Sequence, residues 1–207
     1  MDFPYRYDPQ HCALVVVDVQ KDFCHPDGEH GRHGKDLSAV DAMVPRLKSL
    51  LQTARKASVQ IVFVKTTHDE TTDSVPWLNR HADGPGQVLN QSVCRTGSWG
   101  SEFHEVAPVP GEPVVVKHRY SAFAGTNLDI ILRTMSIKSV LFCGVATDVC
   151  VDASMRDALY LDYFASLIED CCATSSQERQ SAAVQILSSY FGQAIKSSDL
   201  ISIWQSA

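Results

Sequence analysis

Asp18 closes the apolar run 13–17, Lys117 closes 114–116, and Cys150 lies in the turn region after 139–143. Taken singly each is ordinary, since a strand-end Asp often caps a turn and a strand-end Lys usually reaches solvent. Together, a carboxylate, an ammonium and a thiol are the parts of a nucleophile and its base. The carboxylate can accept the thiol proton and return it to a leaving amine, while the ammonium favours the thiolate. The segment Gly144-Val145-Ala146-Thr147-Asp148-Val149-Cys150 runs into a helical pattern, with Thr147 or Asp148 as the N-cap. Cys150 then falls in the first turn, where unpaired backbone N–H groups and the positive end of the helix dipole lower a thiol pKa and hold an oxyanion. These residues predict a depressed Cys150 pKa.

Such a set works only if the chain converges three strand ends. Five short β-branched runs, Cys12–Val17, 59–64, 114–116, 139–143 and 163–168, read as strands buried on both faces. Helical spacing occupies 40–54 (Val40, Met43, Val44, Leu47, Leu50, Leu51), 127–134, 148–161 and Gln177–Tyr190. A weaker strand at 193–196 and a short helix at 199–204 complete the alternation. The pattern predicts an α/β fold: a three-layer α-β-α domain with a six-stranded, mostly parallel, Rossmann-like sheet. Ligands in such folds gather beyond the carboxyl ends of the strands, where strand order reverses. The stretch 66–113 breaks the alternation with Gly84-Pro85-Gly86, Gly97-Ser98-Trp99-Gly100 and Pro108-Val109-Pro110-Gly111. It reads as a partly helical excursion bordering the site.

The 207 residues suit a single domain spanning 1–207. With 44% hydrophobic and 20% charged residues and no low-complexity tract, the chain is of the globular class. Its net charge of −6 comes without a basic cluster, which argues against nucleic acid as a partner. No apolar run approaches about 18 residues, the length of a membrane span. Met1-Asp2-Phe3-Pro4-Tyr5-Arg6-Tyr7 lacks the charged-then-apolar order of a secretory leader. The expectation is a cytoplasmic protein with no membrane partner.

Seven cysteines at irregular spacings, with Cys171 and Cys172 adjacent and no CxxC pair, speak against a disulfide framework or a zinc ribbon. Cys24, Cys94, Cys143, Cys171 and Cys172 are read as structural. Asp152 and Arg156 have the spacing of a helical ion pair and, with Asp148, are read as structural too. Arg95 and Arg119 are candidates to bind an acidic substrate group.

Four stretches carry a resemblance that runs in order over most of the chain. They are Ala13-Leu14-Val15-Val16-Val17-Asp18-Val19-Gln20-Lys21-Asp22-Phe23, Val116-Lys117-His118-Arg119-Tyr120-Ser121-Ala122-Phe123, Gly144 through Cys150, and Leu167-Ile168-Glu169-Asp170. Together they resemble the isochorismatase-like cysteine hydrolases. The resemblance implies an Asp-Lys-Cys triad at Asp18, Lys117 and Cys150. It also implies an oxyanion hole from the amides of Ala146 and Cys150, and a non-proline cis peptide between Val145 and Ala146.

With Cys150 present, it implies the branch that cleaves a C–N bond of a small ureide, carbamoyl compound or amide. That chemistry passes through a thioester or carbamoyl-thioester and releases ammonia or an amine. Gly97-Ser98-Trp99, Arg119 through Phe123, Asp162-Tyr163-Phe164 and Leu167-Ile168-Glu169-Asp170 look most like the ureidoacrylate and biuret group. Vinyl ether hydrolysis of the isochorismatase type and nicotinamide deamidation stand as alternatives, with a non-catalytic binding member as a third.

Nicotinamidases carry a metal site built on an Asp-x-His element and a further His. Here Thr66-Thr67-His68-Asp69-Glu70 inverts that order and His81 stands well downstream, so neither a metal nor another cofactor is expected. Phe23, Trp99, Tyr120 and Phe123 are expected to wall a pocket for a small-molecule substrate, with Tyr120 offering its hydroxyl. The likeness further implies a homo-oligomer, dimer or tetramer.

Overall fold

In the computed structural model, which describes residues 5–80 and 92–206, the run CALVVV forms β1 (Cys12–Val17) and is buried at every position. A strand apolar on both faces needs cover above and below, and the rest of the chain supplies it. After two single-turn helices, α1 (Lys21–Cys24) and α2 (Glu29–Arg32), comes α3 (Ser38–Lys56). Its Val40, Met43, Val44, Leu47, Leu50, Leu51 and Ala54 form one buried stripe at helical spacing.

β2 (Gln60–Thr66) follows, then the excursion with α4 (Val75–Leu78) and a single 3₁₀ turn at Trp99–Ser101. β3 (Val114–Lys117), α5 (Leu128–Thr134) and β4 (Ser139–Val145) come next. The chain ends with α6 (Asp152–Tyr160), β5 (Phe164–Ala173), α7 (Gln177–Tyr190), β6 (Gln193–Ile195) and α8 (Ser197–Ser206).

The strand order is β3-β2-β1-β4-β5-β6, and every pairing is parallel. Parallel neighbours require crossover helices on the sheet faces. α3 and α8 pack on each other and on the sheet, while α6 and α7 pack on each other and on β5, giving the expected α/β layers. The order reverses between β1 and β4, which opens the ligand crevice above their carboxyl ends.

β3 departs from the reading of strands buried on both faces. Val115 and Lys117 point inward, but Val114 and Val116 are each 41% exposed. It is an edge strand, paired only with β2, so one face stays uncovered. No described helix is long and apolar enough to cross a membrane.

One glycine sets how closely the two central strands approach. Gly144 has φ +116°, and a Cβ there would sit 2.0 Å from the carbonyl oxygen of Val17. The β4–β5 register also shifts between Phe142 and Gly144. A bulge of this kind re-aims the chain that follows it, here the segment leading to Cys150.

Candidate active site

Asp18 leaves β1 with φ 52°, a left-handed conformation that Asp adopts more readily than most residues. Its amide is tied to the carbonyl of Val64 at 2.9 Å. Lys117, the last residue of β3, lies two strands away, and its long side chain bridges the gap over the end of β2. Thr66 Oγ1 and the Thr67 amide hold the Lys117 carbonyl at 3.2 and 3.1 Å.

An ammonium has three donors, and Lys117 Nζ meets three partners. These are Asp18 Oδ2 at 2.7 Å, the carbonyl of Arg119 at 3.0 Å and Cys150 Sγ at 3.4 Å. The side chains of Asp18 and Lys117 are each 1% exposed. The three strand-end residues singled out from the sequence therefore meet around one nitrogen.

The local backbone before Cys150 differs from the expected helix start. The Val145–Ala146 peptide is cis, and Thr147–Val151 forms a π-helical turn ahead of α6. Neither Thr147 nor Asp148 caps it. The Thr147 hydroxyl donates to Gln180 Oε1 at 2.6 Å, and Asp148 accepts from Thr174 Oγ1 and Arg179 Nε, both at 2.5 Å. Side chains on and before α7 claim both candidate caps. Cys150 and Ala146 both line the cavity.

The electrostatics correct one expectation. Burial pushes the Cys150 thiol up to about 12, more than the Lys117 ammonium pulls it down, so the thiol pKa is raised rather than depressed. A helix-terminus argument considers only the favourable partial charge, whereas removing a thiolate from water costs more here. Burial also raises Asp18 above the ordinary carboxylate value, against the pull of Lys117. For Lys117, burial pushes down, but Asp18 and Cys150 together outweigh it and the pKa is raised. Passing the thiol proton to Asp18 moves the negative charge from oxygen to sulfur within reach of the same ammonium. The buried site keeps its total charge throughout that transfer.

A cavity of about 480 Å³ opens above the three groups. Phe23 and Tyr120 line it, as do His68 and Trp77 from the excursion. Trp99 and Phe123 do not. Trp99 is 43% exposed, under Lys21 at 4.9 Å and edge-on to His25 at 5.1 Å. Phe123 stacks on Tyr163 at 6.3 Å and packs against the core. A larger and shallower groove of about 820 Å³ between α3 and α7 contains none of the three reactive residues.

Trp77 is a wall residue that periodicity does not single out. Ser74 caps α4 through the Trp77 amide, with Pro76 in the first turn, so a helix-start signal was present in Ser74-Val75-Pro76. The Trp77 ring stacks on His68 at 5.6 Å, meets Tyr120 edge-on at 4.9 Å and lies 3.9 Å from the Arg80 guanidinium carbon. Gln20 and Asp22 anchor the same excursion from beneath. Fully buried Gln20 binds the Thr66 amide and the carbonyls of Thr66 and Ser101. Asp22 accepts from the Cys94 amide at 2.6 Å and the Glu29 amide at 3.2 Å.

The remaining candidates are accounted for locally. His68 Nδ1 lies 3.2 Å from Asp73, burial lowers its pKa, and Arg95 is committed to the same Asp73. Asp69 turns away into bonds with Thr71, Thr72 and Thr96. Among the described residues no three His, Cys, Asp or Glu side chains group as a metal site. His81 and Gly84-Pro85-Gly86 lie outside the described residues. Arg156 pairs with Asp152 as their spacing anticipated.

Comparison with known proteins places this geometry among relatives. Ureidoacrylate amidohydrolase RutB of Caulobacter segnis is 30% identical over 200 residues, covering 91% of this chain and 84% of that protein. A cysteine hydrolase from Pseudomonas syringae pv. phaseolicola superposes with a TM-score of 0.83 at 25% identity, covering 100% of this chain and 99% of its own. N-carbamoylsarcosine amidase from Thermoplasma acidophilum gives 0.72 at 28% identity over 90% and 96%. The isochorismatase domain description matches residues 12–199, nearly the whole of the sheet and its helices. On that match the chain belongs to the isochorismatase domain family.

Proposed function

We propose that this protein is a cysteine-dependent amidohydrolase that cleaves a C–N bond of a small ureide, carbamoyl compound or amide. One observation carries the reading: Lys117 Nζ touches both Asp18, at 2.7 Å, and Cys150 Sγ, at 3.4 Å, beneath a cavity of about 480 Å³. In the first step Cys150 Sγ forms a bond to the substrate carbonyl carbon while its proton passes to Asp18. The carbonyl π electrons move to oxygen, where the amides of Ala146 and Cys150 stabilise the charge.

Collapse of that intermediate breaks the C–N bond, and Asp18 returns the proton to the departing nitrogen. A water molecule then attacks the thioester, giving a proton to Asp18. The C–S bond breaks, and the proton returns to sulfur as the acid leaves. Lys117 holds the negative charge whenever it rests on Asp18 or on Cys150 Sγ.

The names of the ureidoacrylate and carbamoylsarcosine enzymes support the substrate class. Seven unpaired thiols suit a reducing cytoplasm. The uncovered Val114 and Val116 on β3 give a homo-oligomer a surface to bury. An ammonia-release screen over biuret, ureidoacrylate, N-carbamoyl amino acids and nicotinamide tests the activity. Release with the parent protein and none with Cys150→Ser is expected; equal release from both overturns the reading.

A further inference from the structure

Besides Lys117, the cavity wall holds the cations Lys35, Arg80, Arg119 and Arg179. In a chain of net charge −6 that is a local excess of the opposite sign, and its meaning depends on how many are neutralised. Arg179 pairs with Asp148 at 2.5 Å. Asp36, also on the wall, is turned to the Ser38 amide at 2.9 Å. Arg119 donates to the carbonyls of Thr72, at 3.1 Å, and His118, which leave its charge in place. Among the described residues, no carboxylate pairs with Lys35, Arg80 or Arg119.

Arg80 is the best oriented of these. Its planar group is fixed over Trp77 at 3.9 Å, with one terminal nitrogen on the Trp77 carbonyl and Nε on the Tyr120 hydroxyl at 2.8 Å. Among the described residues, none accepts from its other terminal nitrogen. Since the Tyr120 oxygen accepts from Arg80, the Tyr120 hydroxyl proton is also left to donate elsewhere. A guanidinium edge and an adjacent phenol O–H match the two oxygens of a carboxylate.

We propose that the substrate of this site carries a carboxylate at the end away from the scissile C–N bond, gripped by Arg80 and the Tyr120 hydroxyl. Lys35 and Arg119 supply a positive field that concentrates anions in the cavity. The inference rests on the amidohydrolase reading and narrows it. A neutral ureide or amide would leave these donors unmatched, which a site built for polar contacts rejects strongly.

The test compares a ureido acid with the same skeleton bearing a carboxamide in place of its carboxylate. The parent protein should favour the acid by roughly 10- to 100-fold in kcat/KM. Arg80→Gln should remove most of that preference through KM, and Arg80→Lys should restore part of it. Equal turnover of acid and amide by the parent, or an equal loss on both with Arg80→Gln, overturns the proposal.

A second arm reads binding without turnover, by calorimetry on Cys150→Ser with the acid and the amide. Tighter binding of the acid, weakened when Arg80→Gln is added, supports the carboxylate site even if no ammonia is ever released. Hydrolysis of neutral substrates with no tighter binding of the acid would sink the carboxylate site and leave the hydrolase reading standing.

Discussion

Replacing Lys117 by Met should destabilise the fold in a pH-dependent way that identifies the buried ion pair as the cause. The ammonium sits 2.7 Å from Asp18, with both side chains 1% exposed. Removing one member of such a pair leaves an uncompensated buried charge and costs about 3–5 kcal/mol. For a domain of this size each kcal/mol lowers Tm by about 2–4 °C, so the drop should be about 6–20 °C near neutral pH.

The sign with pH follows from Asp18. Its folded pKa already lies above the unfolded one because of burial, and loss of the ammonium moves it further up. A raised carboxyl is most stable protonated, so its contribution is present at low pH and lost as pH rises through the folded value. The deficit should therefore grow as pH rises above the ordinary carboxylate range, by up to about 1.4 kcal/mol per pH unit. Adding Asp18→Asn, which tolerates the φ of 52° and carries no charge, should recover at least half of the loss. Thermal melts across this pH range provide the assay. A variant as stable as the parent, a deficit independent of pH, or a double variant worse than both singles combined would refute the reasoning.

Two further outcomes follow from the same geometry. In the proposed mechanism Asp18 takes the thiol proton and must be unprotonated, and burial raises its pKa, so kcat/KM should fall on the acid side with a midpoint above 3.8; a limb at or below that value would contradict the assignment. Gly144→Ala should cost about 3 kcal/mol or more, because φ is +116° and the new Cβ would meet the Val17 carbonyl oxygen at 2.0 Å. Parental stability in urea melts would show that β1 and β4 can separate freely there.

Strand positions were legible in the sequence wherever β-branched runs carried them, since a strand buried on both faces has little choice of residue. The ends were less so. β4 continues through Gly144 to Val145, and β5 runs on past Glu169 and Asp170 to Ala173, because sheet pairing overrides a local glycine or charge. Asp18, Lys117 and Cys150 were legible because parallel strands must end on the same side.

Trp99 and Phe123 stand near the motifs in sequence, yet the chain turns them toward Lys21 and Tyr163. Trp77 and Arg80 escaped notice because an irregular excursion has no period from which to read a face. The raised Cys150 pKa was not legible, because a sequence shows partial charges at a helix start but not the depth at which they act.

The most direct test of the account is intact-protein and peptide mass spectrometry after rapid acid quench of the enzyme turning over a ureide or amide substrate. A mass increment equal to the acyl or carbamoyl group should appear on the peptide bearing Cys150, labile to hydroxylamine and missing in Cys150→Ser. Turnover with an unmodified Cys150 at every quench time, together with an active Cys150→Ser protein, would contradict it.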